Sequence, residues 1–496
     1  MHIPLICERV KSNMDKADLT SFAIQTEVKE TQVGELAEFL YQRLVFPRKN
    51  SIANAQHTTF ENEHTISFRV VDPQGKWHFD TETKIGKIVV VKIVPSYDPS
   101  PPNQVLSQFK DDMFIVVESF EDQMRRRTIY FAWGEGIKVA PGKSPFRKRR
   151  ILDRILFENM IFVFMLLLVF SIFLFIILAP LFGPYVPIPL VAIQFLIVLA
   201  APKLISRGGD WTITEQNPNV HILTYTVPPQ EAQIPREKLN KETLLKIKTE
   251  IYQNTLAIRK PIDHEAAQEV FSKYGLACAP RNLSIKTVNV YRLVEEAAGK
   301  FGLQVPKIVI SNTVIPNAAA TGPSPRLGMV LITTGILVQL QEDELLAVLG
   351  HEFSHLTGRD PVVLYGLVST EYLFRFYVVL PFLLGYNVFL FYLYFIVILG
   401  VIFFIAKFFE ARADLVSAIR IGTPQVLASA LRKIGFKRLG LERSASVRVQ
   451  SWIGFDPHPP IYFRVDRLEK LQTPVRVRSP LLTSIKDCLR GLFASF

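Results

Sequence analysis

Two long apolar blocks interrupt an otherwise mixed chain. Residues 160–178 read MIFVFMLLLVFSIFLFIIL without a charge, and about 18 or more uncharged apolar residues indicate a membrane span. A second apolar arm, 186–204, follows the Pro/Gly-rich connector APLFGPY, so 155–178 and 186–204 read as a transmembrane hairpin within 151–207. The second block, 362–406, is too long for one span and fits another hairpin turning at Gly385, Tyr386 and Asn387. Its first arm holds Glu371 and Arg375, four apart and able to pair on one helix face. An ionisable pair within a span is either functional or closed off inside the bundle or at the interface, and the second reading is the simpler.

Outside these blocks the periodicity changes. Residues 1–150 read as a soluble α+β accessory domain. Alternating or β-branched runs predict strands at 21–28, 65–71, 87–94 and 113–117. The segment 35–44 (ELAEFLYQRL) sets Leu36, Phe39, Leu40 and Leu44 on one side of a helix. His57, His64 and His78 fit surface or structural positions, and the domain carries no catalytic motif. A mixed connecting region, 208–287, predicts strands at 211–214 and 221–227 and helices at 238–258 and 264–274. An amphipathic helix at 288–300 stops before Gly302, and 307–311 and 329–333 read as strands. The tail, 472–496, is basic and amphipathic: Leu481, Leu482, Ile485, Leu489, Leu492, Phe493 and Phe496 recur at helical spacing opposite Lys486 and Arg490. It is either a helix lying on a membrane or one packed on the core.

Composition and charge narrow this picture. Hydrophobic residues make up 49% and charged residues 21%, which excludes disorder as the main state. The net charge of +12 would suit a nucleic-acid binder, but no RNP, zinc-finger or helix-turn-helix signature is visible, and nucleic acid is not an expected partner. Part of the excess, Arg147, Lys148, Arg149 and Arg150, stands just before the first span. With Lys203 and Arg207 after the hairpin, the positive-inside rule predicts a multi-pass cell-membrane protein with 1–150 and the chain beyond about 207 on the cytoplasmic side. Cys7, Cys278 and Cys488 form no CxxC pair. The first 25 residues are charged and lack an apolar core, so no cleavable signal peptide is expected.

The chemistry concentrates in LAVLGHEFSHLTGRD, residues 346–360, which contains HExxH as His351, Glu352 and His355. On a helix, side chains four apart stand about 5–6 Å from each other on one face, so two imidazoles can converge on one ion. Glu352 is about 100° around the helix and is free to take a proton from a metal-activated water. Zinc catalysis needs a third protein ligand and an open position. FEARADLVSAI, 409–419, supplies the candidate: Glu410 as ligand, with Asp414, four on, accepting a hydrogen bond from a ligating histidine. Taken alone, that pair would read as acids at a helix start beside Arg412.

HExxH followed, after a membrane hairpin, by ExxxD resembles the HtpX-like membrane zinc metallopeptidases, whose relatives are the CAAX prenyl endopeptidases and the mitochondrial Oma-type proteases. The resemblance covers about 288–471, including the hairpin 362–406. PNAAATG (316–322) is similar to the family's NAxATG strand-turn, VLITTGILVQLQEDELLAVLGHE (330–352) to its strand and active helix, and HPPIYFRVDRLEKL (458–471) to its HPxxxxR motif. The resemblance implies a mostly α-helical zincin-like domain with a small β-sheet on about four transmembrane helices, one Zn2+ per chain, and the extra N-terminal domain. It adds His458 and Arg464 near the zinc, gating it or stabilising the oxyanion; the alternative is that His458 caps a helix begun by Pro459 and Pro460. Asn317 is expected to bind substrate backbone, and strand 329–333 to pair with an extended substrate. The implied substrates are misfolded or damaged membrane proteins cut at the cytoplasmic face. Two rivals stand: a dedicated CAAX-type processing endopeptidase, and a catalytically silent scaffold in which His458 completes a structural zinc site.

Overall fold

A computed structural model of the chain describes residues 21–46, 51–60, 63–96, 99–136, 160–228, 240–384 and 388–496. The chain divides into two compact units, Met1–Thr128 and Ile129–Phe496.

In the first unit, β1 (Ser21–Gln25), α1 (Val33–Leu40), β2 (Ile52–Phe60), β3 (Glu63–Val71), β4 (His78–Ile85), β5 (Ile88–Pro95) and α2 (Asn103–Arg126) follow in order. The strands form one antiparallel sheet, β1-β5-β4-β3-β2. Alternation decides which face is covered: Val89, Val91 and Ile93 are buried with the two helices, whereas Ile88, Val90 and Val94 are exposed. The run MFIVV, 113–117, was expected as a strand and instead lies inside α2. Leu106, Phe109, Met113, Val117 and Phe120 are all buried, so the longer period is helical and overrides a five-residue stretch of β-branched content.

The second unit begins with β6 (Thr128–Gly134), then α3 (Met160–Phe182), α4 (Pro187–Gly208), β7 (Trp211–Ile213), β8 (Asn219–Thr226), α5 (Lys241–Asn254), α6 (His264–Lys273) and β9 (Leu283–Asn289). It continues with α7 (Val290–Lys300), β10 (Lys307–Ser311), β11 (Ala318–Thr321), β12 (Met329–Thr333), α8 (Thr334–Gln339), α9 (Glu342–Gly358), α10 (Asp360–Phe374), α11 (Leu380–Leu384) and α12 (Val388–Ile421). Four more helices close it: α13 (Pro424–Leu441), α14 (Ala445–Ile453), α15 (Ile461–Glu469) and α16 (Pro480–Phe493). β6 pairs within the three-stranded sheet β6-β8-β9, so the second unit takes up the chain at about 128, whereas the apolar pattern drew the boundary at 150.

Among the described residues, three helices are long and apolar enough to cross a membrane: Leu168–Tyr185, Asp360–Phe382 and Phe389–Ile421. The expected fourth span is apolar over Pro187–Lys203 and is shorter; Pro202 and Lys203 end its run. The beginning of the first span before residue 160, the basic cluster 147–150 and the turn 385–387 lie outside the described residues. The Glu371–Arg375 pair closes on itself at 2.8 Å, Tyr394 of α12 donates to Glu371 at 3.3 Å, and Arg375 sits 5.2 Å over the Phe395 ring. That is the bundle-internal arrangement.

The second sheet runs β11-β12-β10-β7, with β10 and β12 parallel and β11 antiparallel at one edge. α9 lies against α12, and glycine sets the approach. A Cβ on Gly350 would stand 2.4 Å from Ile421 Cγ1 and 2.8 Å from Ser417 Oγ, and Ser417 Oγ donates to the Ala347 carbonyl at 2.8 Å. Gly350→Ala is therefore expected to destabilise the chain by about 1–3 kcal/mol through overpacking. Thermal unfolding of the purified full chain reads this as a lower midpoint; an unchanged midpoint would mean the crossing has spare room.

Candidate active site

α9 starts on a capping box, with the Gln341 N–H donating to Glu344 Oε2 at 3.0 Å, and carries Glu342, Asp343 and Glu344 in its first turn. Both features favour a helix N-terminus here. One turn separates His351 from His355, and their Nε2 atoms stand 3.2 Å apart. α12 brings Glu410 against them: Oε2 is 3.3 Å from His351 Nε2, and Oε1 is 3.3 Å from His355 Nε2. One ligand atom from each of the three lies within 4.8 Å of the others. A turn further along α12, Asp414 Oδ1 is 2.9 Å from His351 Nδ1.

Sequence reasoning missed the corresponding partner of His355. Its Nδ1 is 2.8 Å from Asp360 Oδ2. In an unbroken helix, residue 360 would point about 140° away from residue 355. The helix breaks at Arg359, whose φ of 53° is left-handed, and the break returns Asp360 to the histidine. Arg412 Nη2 then donates to both Asp360 oxygens at 2.8 and 2.6 Å, and to the Ser354 carbonyl at 3.3 Å. Gly358 leaves room for that guanidinium, since a Cβ there would lie 2.2 Å from Arg412 Nη2. The signals in the sequence were a lone Asp before Pro361 and an Arg between the two acids of ExxxD.

The donor set fits a divalent metal. A carboxylate stands close to each imidazole Nδ1. At His355 a hydrogen bond to Asp360 assigns the proton to Nδ1 and turns the Nε2 lone pair to the centre; at His351 the 2.9 Å approach of Asp414 favours the same arrangement without a hydrogen bond of good geometry. Burial opposes charge on His355, yet Glu410 and Asp360 outweigh it and raise its pKa to about 10. His351 is also raised against burial, by Asp414 and Glu410. Glu410 Oε2 is buried and has no hydrogen-bond partner. The cluster therefore favours positive charge at its centre, and two imidazoles with one carboxylate match a three-ligand zinc site with an open position.

Glu352 leaves α9 on another side, and its Oε2 accepts the Ala320 N–H of β11 at 2.8 Å. Burial raises its carboxyl, with His351 and His355 pulling the other way. Asn317 sits at the root of β11: its N–H donates to Thr333 Oγ1 at 2.9 Å and its carbonyl accepts the Thr333 N–H at 3.0 Å. The strand 329–333, expected to pair with substrate, has β10 on one side and β11 on the other, so it has no free edge. The edge facing the site belongs to β11. Asn317 bonds towards β12 and the Ala320 N–H turns away from it; by alternation Ala318 shares the outward side.

His458 stands at the more open side of the cluster, its side chain 45% exposed and its Nε2 3.9 Å from Glu410 Oε2. Asp456 accepts its backbone N–H at 2.8 Å and faces its Nδ1 at 3.1 Å. The cap of α15 comes instead from Glu442, which accepts the Ile461 and Tyr462 N–H groups at 3.2 and 3.0 Å. Arg464 is buried, and its Nε and Nη2 both donate to Asp414, at 2.8 and 2.7 Å. That is a positioning geometry acting through Asp414 and His351.

Residues 284–472 match the family described as Peptidase family M48. A "Protease HtpX homolog" of Moorella thermoacetica is 37% identical over 161 residues, 29% of this chain and 54% of that protein. "Protease HtpX homolog 2" of Methanosarcina acetivorans is 35% identical over 197 residues, 34% of this chain and 67% of its own length. A "Protease HtpX homolog" of Tropheryma whipplei is 28% identical over 209 residues, 37% of this chain and 72% of that protein. The chain thus spans about half the length of the Moorella relative, and the first 283 residues lie outside the family match.

Asp360→Asn and Asp414→Asn each remove a carboxylate that orients a histidine. Each is expected to weaken zinc binding by about 10–100-fold, measured by competition with a chromogenic chelator; wild-type affinity in both would separate these carboxylates from the metal.

Proposed function

The chain belongs to the HtpX-like branch of peptidase family M48, and from that membership together with the site's geometry we propose that it is a membrane zinc endopeptidase. His351, His355 and Glu410 hold the metal. The observation that carries this reading is their convergence, with a carboxylate close to each Nδ1 and Glu352 buried beside them against the edge strand β11. When bound, zinc supplies a polarising Lewis acid and an activated water.

This chain's residues supply the rest. Glu352 is the general base and then the acid: burial lifts its carboxyl towards the working pH, where proton transfer is most effective, and the Ala320 N–H fixes its aim. His458, at the more open side, has Asp456 facing its Nδ1 and in its doubly protonated form donates from Nε2 to the developing oxyanion. Arg464 and Asp414 hold His351 in orientation. β11 offers its outward groups at Ala318 and the Ala320 carbonyl to an extended peptide, in the manner of an added strand, while the Ala320 N–H stays on Glu352.

Such a site selects against folded helices, whose backbone groups are already paired. It accepts segments that have lost structure or never had it. α12 brings the reactive groups close to its own apolar run, which supports membrane proteins, misfolded or damaged, as the substrates, cut on the cytoplasmic side. Three long spans and one shorter apolar helix favour this over a CAAX-type processing enzyme.

Casein degradation by the purified, zinc-supplied protein tests the activity, wild type beside Glu352→Gln. The expected loss in the variant is at least about 100-fold at unchanged zinc content. A zinc-loaded wild type that cleaves nothing across a broad substrate panel would sink the reading. Ala318→Pro tests the strand edge: it removes an outward N–H and no bond of the β11–β12 ladder. The expected effect is a KM about tenfold higher, of the order of one lost hydrogen bond, with zinc content unaltered; an unchanged KM would exclude pairing at that edge.

A further inference from the structure

α16 lies beyond the family match, which ends at residue 472, and takes no part in the zinc cluster. One face is docked on α12. Ser484 and Cys488 are fully buried, and Cys488 packs with Ala411 and Trp452, joined by Phe404, Phe408 and Leu492. Gly491 permits this: a Cβ there would stand 2.6 Å from Trp452 and 2.8 Å from Phe463. Asp487 is tied to Arg467 at 2.8 Å. The sequence left open whether this helix packs on the core or lies on a membrane, and half of that alternative is now plain.

The other face is unlike a water-facing surface. Leu482, Leu489 and Phe493 are 67%, 39% and 71% exposed. At spacings of seven and four they form one stripe along the helix, and Phe496, 79% exposed, extends it. Lys486 and Arg490, both exposed, flank the stripe on one side. A second exposed apolar pair, Ile453 and Phe455, directly follows Trp452, which packs against Cys488 of α16. The Phe455 ring stands 5.6 Å from Phe403 of α12, and Leu492 joins the cluster of Phe404 and Phe408. Phe403 and Phe404 belong to the apolar run of α12 that ends at Lys407. The exposed apolar groups are therefore level with the end of a candidate span.

We propose that α16 and the Ile453–Phe455 corner rest in the headgroup region of an anionic bilayer, on the side that holds the zinc cluster. The apolar stripe enters the acyl boundary, and Lys486 and Arg490 reach the lipid phosphates. An apolar face with a basic flank is the pattern of an interfacial helix, and long basic side chains extend to the headgroups while their stems stay apolar. The depth of the attached span and the sign of the flanking charge favour lipid over a protein partner. The inference rests on α12 as a membrane span and not on peptidase activity, so the failure of one is distinguishable from the failure of the other.

The test uses the full chain carrying Cys7→Ser; the thiols of Cys278 and Cys488 are buried. Single cysteines replace Leu482, Phe493 or, as a control, the exposed Glu265 of α6. Each is labelled with an environment-sensitive fluorophore in nanodiscs containing a headgroup-depth spin-labelled lipid, with or without phosphatidylglycerol. At 482 and 493, quenching in the anionic discs is expected to exceed that at 265 about threefold, as for an interfacial helix. Lys486→Glu with Arg490→Glu is expected to lower it at least about twofold by removing the attraction to anionic headgroups. Quenching no greater than at 265, equal quenching in neutral and anionic discs, or an apolar spectrum without lipid quenching would overturn the proposal, the last by showing a second copy or another protein over the stripe.

Discussion

The close crossing of α9 over α12 carries the rest of the site. Both helices present functional side chains four residues apart, and such pairs sit at two successive heights on one face. One crossing therefore aligns His351 with Asp414 and His355 with Glu410 at the same time. Slipping either helix by one residue would undo both contacts. The crossing is fastened along its length by Ser417 on the Ala347 carbonyl, by Asp414 on His351, and by Arg412 on Asp360 and the Ser354 carbonyl. Gly350 and Gly358 make the approach possible because any Cβ would collide with the partner helix or its guanidinium.

Charge then decides what the crossing can hold. Four carboxylates, Glu352, Asp360, Glu410 and Asp414, face two guanidiniums, Arg412 and Arg464. Two negative charges remain for a divalent cation to balance. Buried charges are costly unless paired and hydrogen-bonded; Asp360, Asp414 and Arg464 meet that condition, whereas at the centre two imidazole Nε2 atoms and Glu410 Oε2 converge. The positioning pairs and the donors His351, His355 and Glu410 are thus one electrostatic unit. Asp414 bridges Arg464 to His351, and Asp360 bridges Arg412 to His355.

The sequence was most informative where local period becomes geometry directly. HExxH and ExxxD sit on helices, so their spacing already states which side chains share a face, and the apolar runs state their environment. What stayed hidden depends on tertiary choices. Asp360 could not be assigned to His355 without knowing that the helix breaks at Arg359. The strand MVLIT (329–333) is the better β-former, but the outer position goes to Ala318–Thr321, four small residues whose strand character comes from pairing with β12. Glu442, nearly twenty residues before α15, caps it in place of the adjacent His458. The run 113–117 shows the opposite error, in which a short window read propensity and missed the longer helical period.

α12 also joins the membrane question to the chemistry. Lys407 is the first charge after Arg375 and stands three residues before Glu410, a rise of about 4.5 Å along the helix. The apolar run and Glu410 are therefore parts of one rigid rod, and the depth of one fixes the height of the other. Lys407 does not reach out to water. It is fully buried and donates to the backbone carbonyls of Gly454, at 3.0 Å, and of Asp456. A buried ammonium satisfied by carbonyls is a fixed anchor, and what it anchors is the loop that presents His458 over Glu410. The residue that ends the apolar run thus also holds the more open side of the His351, His355 and Glu410 cluster in place, so a shift of the rod would carry His458 with Glu410 and leave their mutual geometry unchanged.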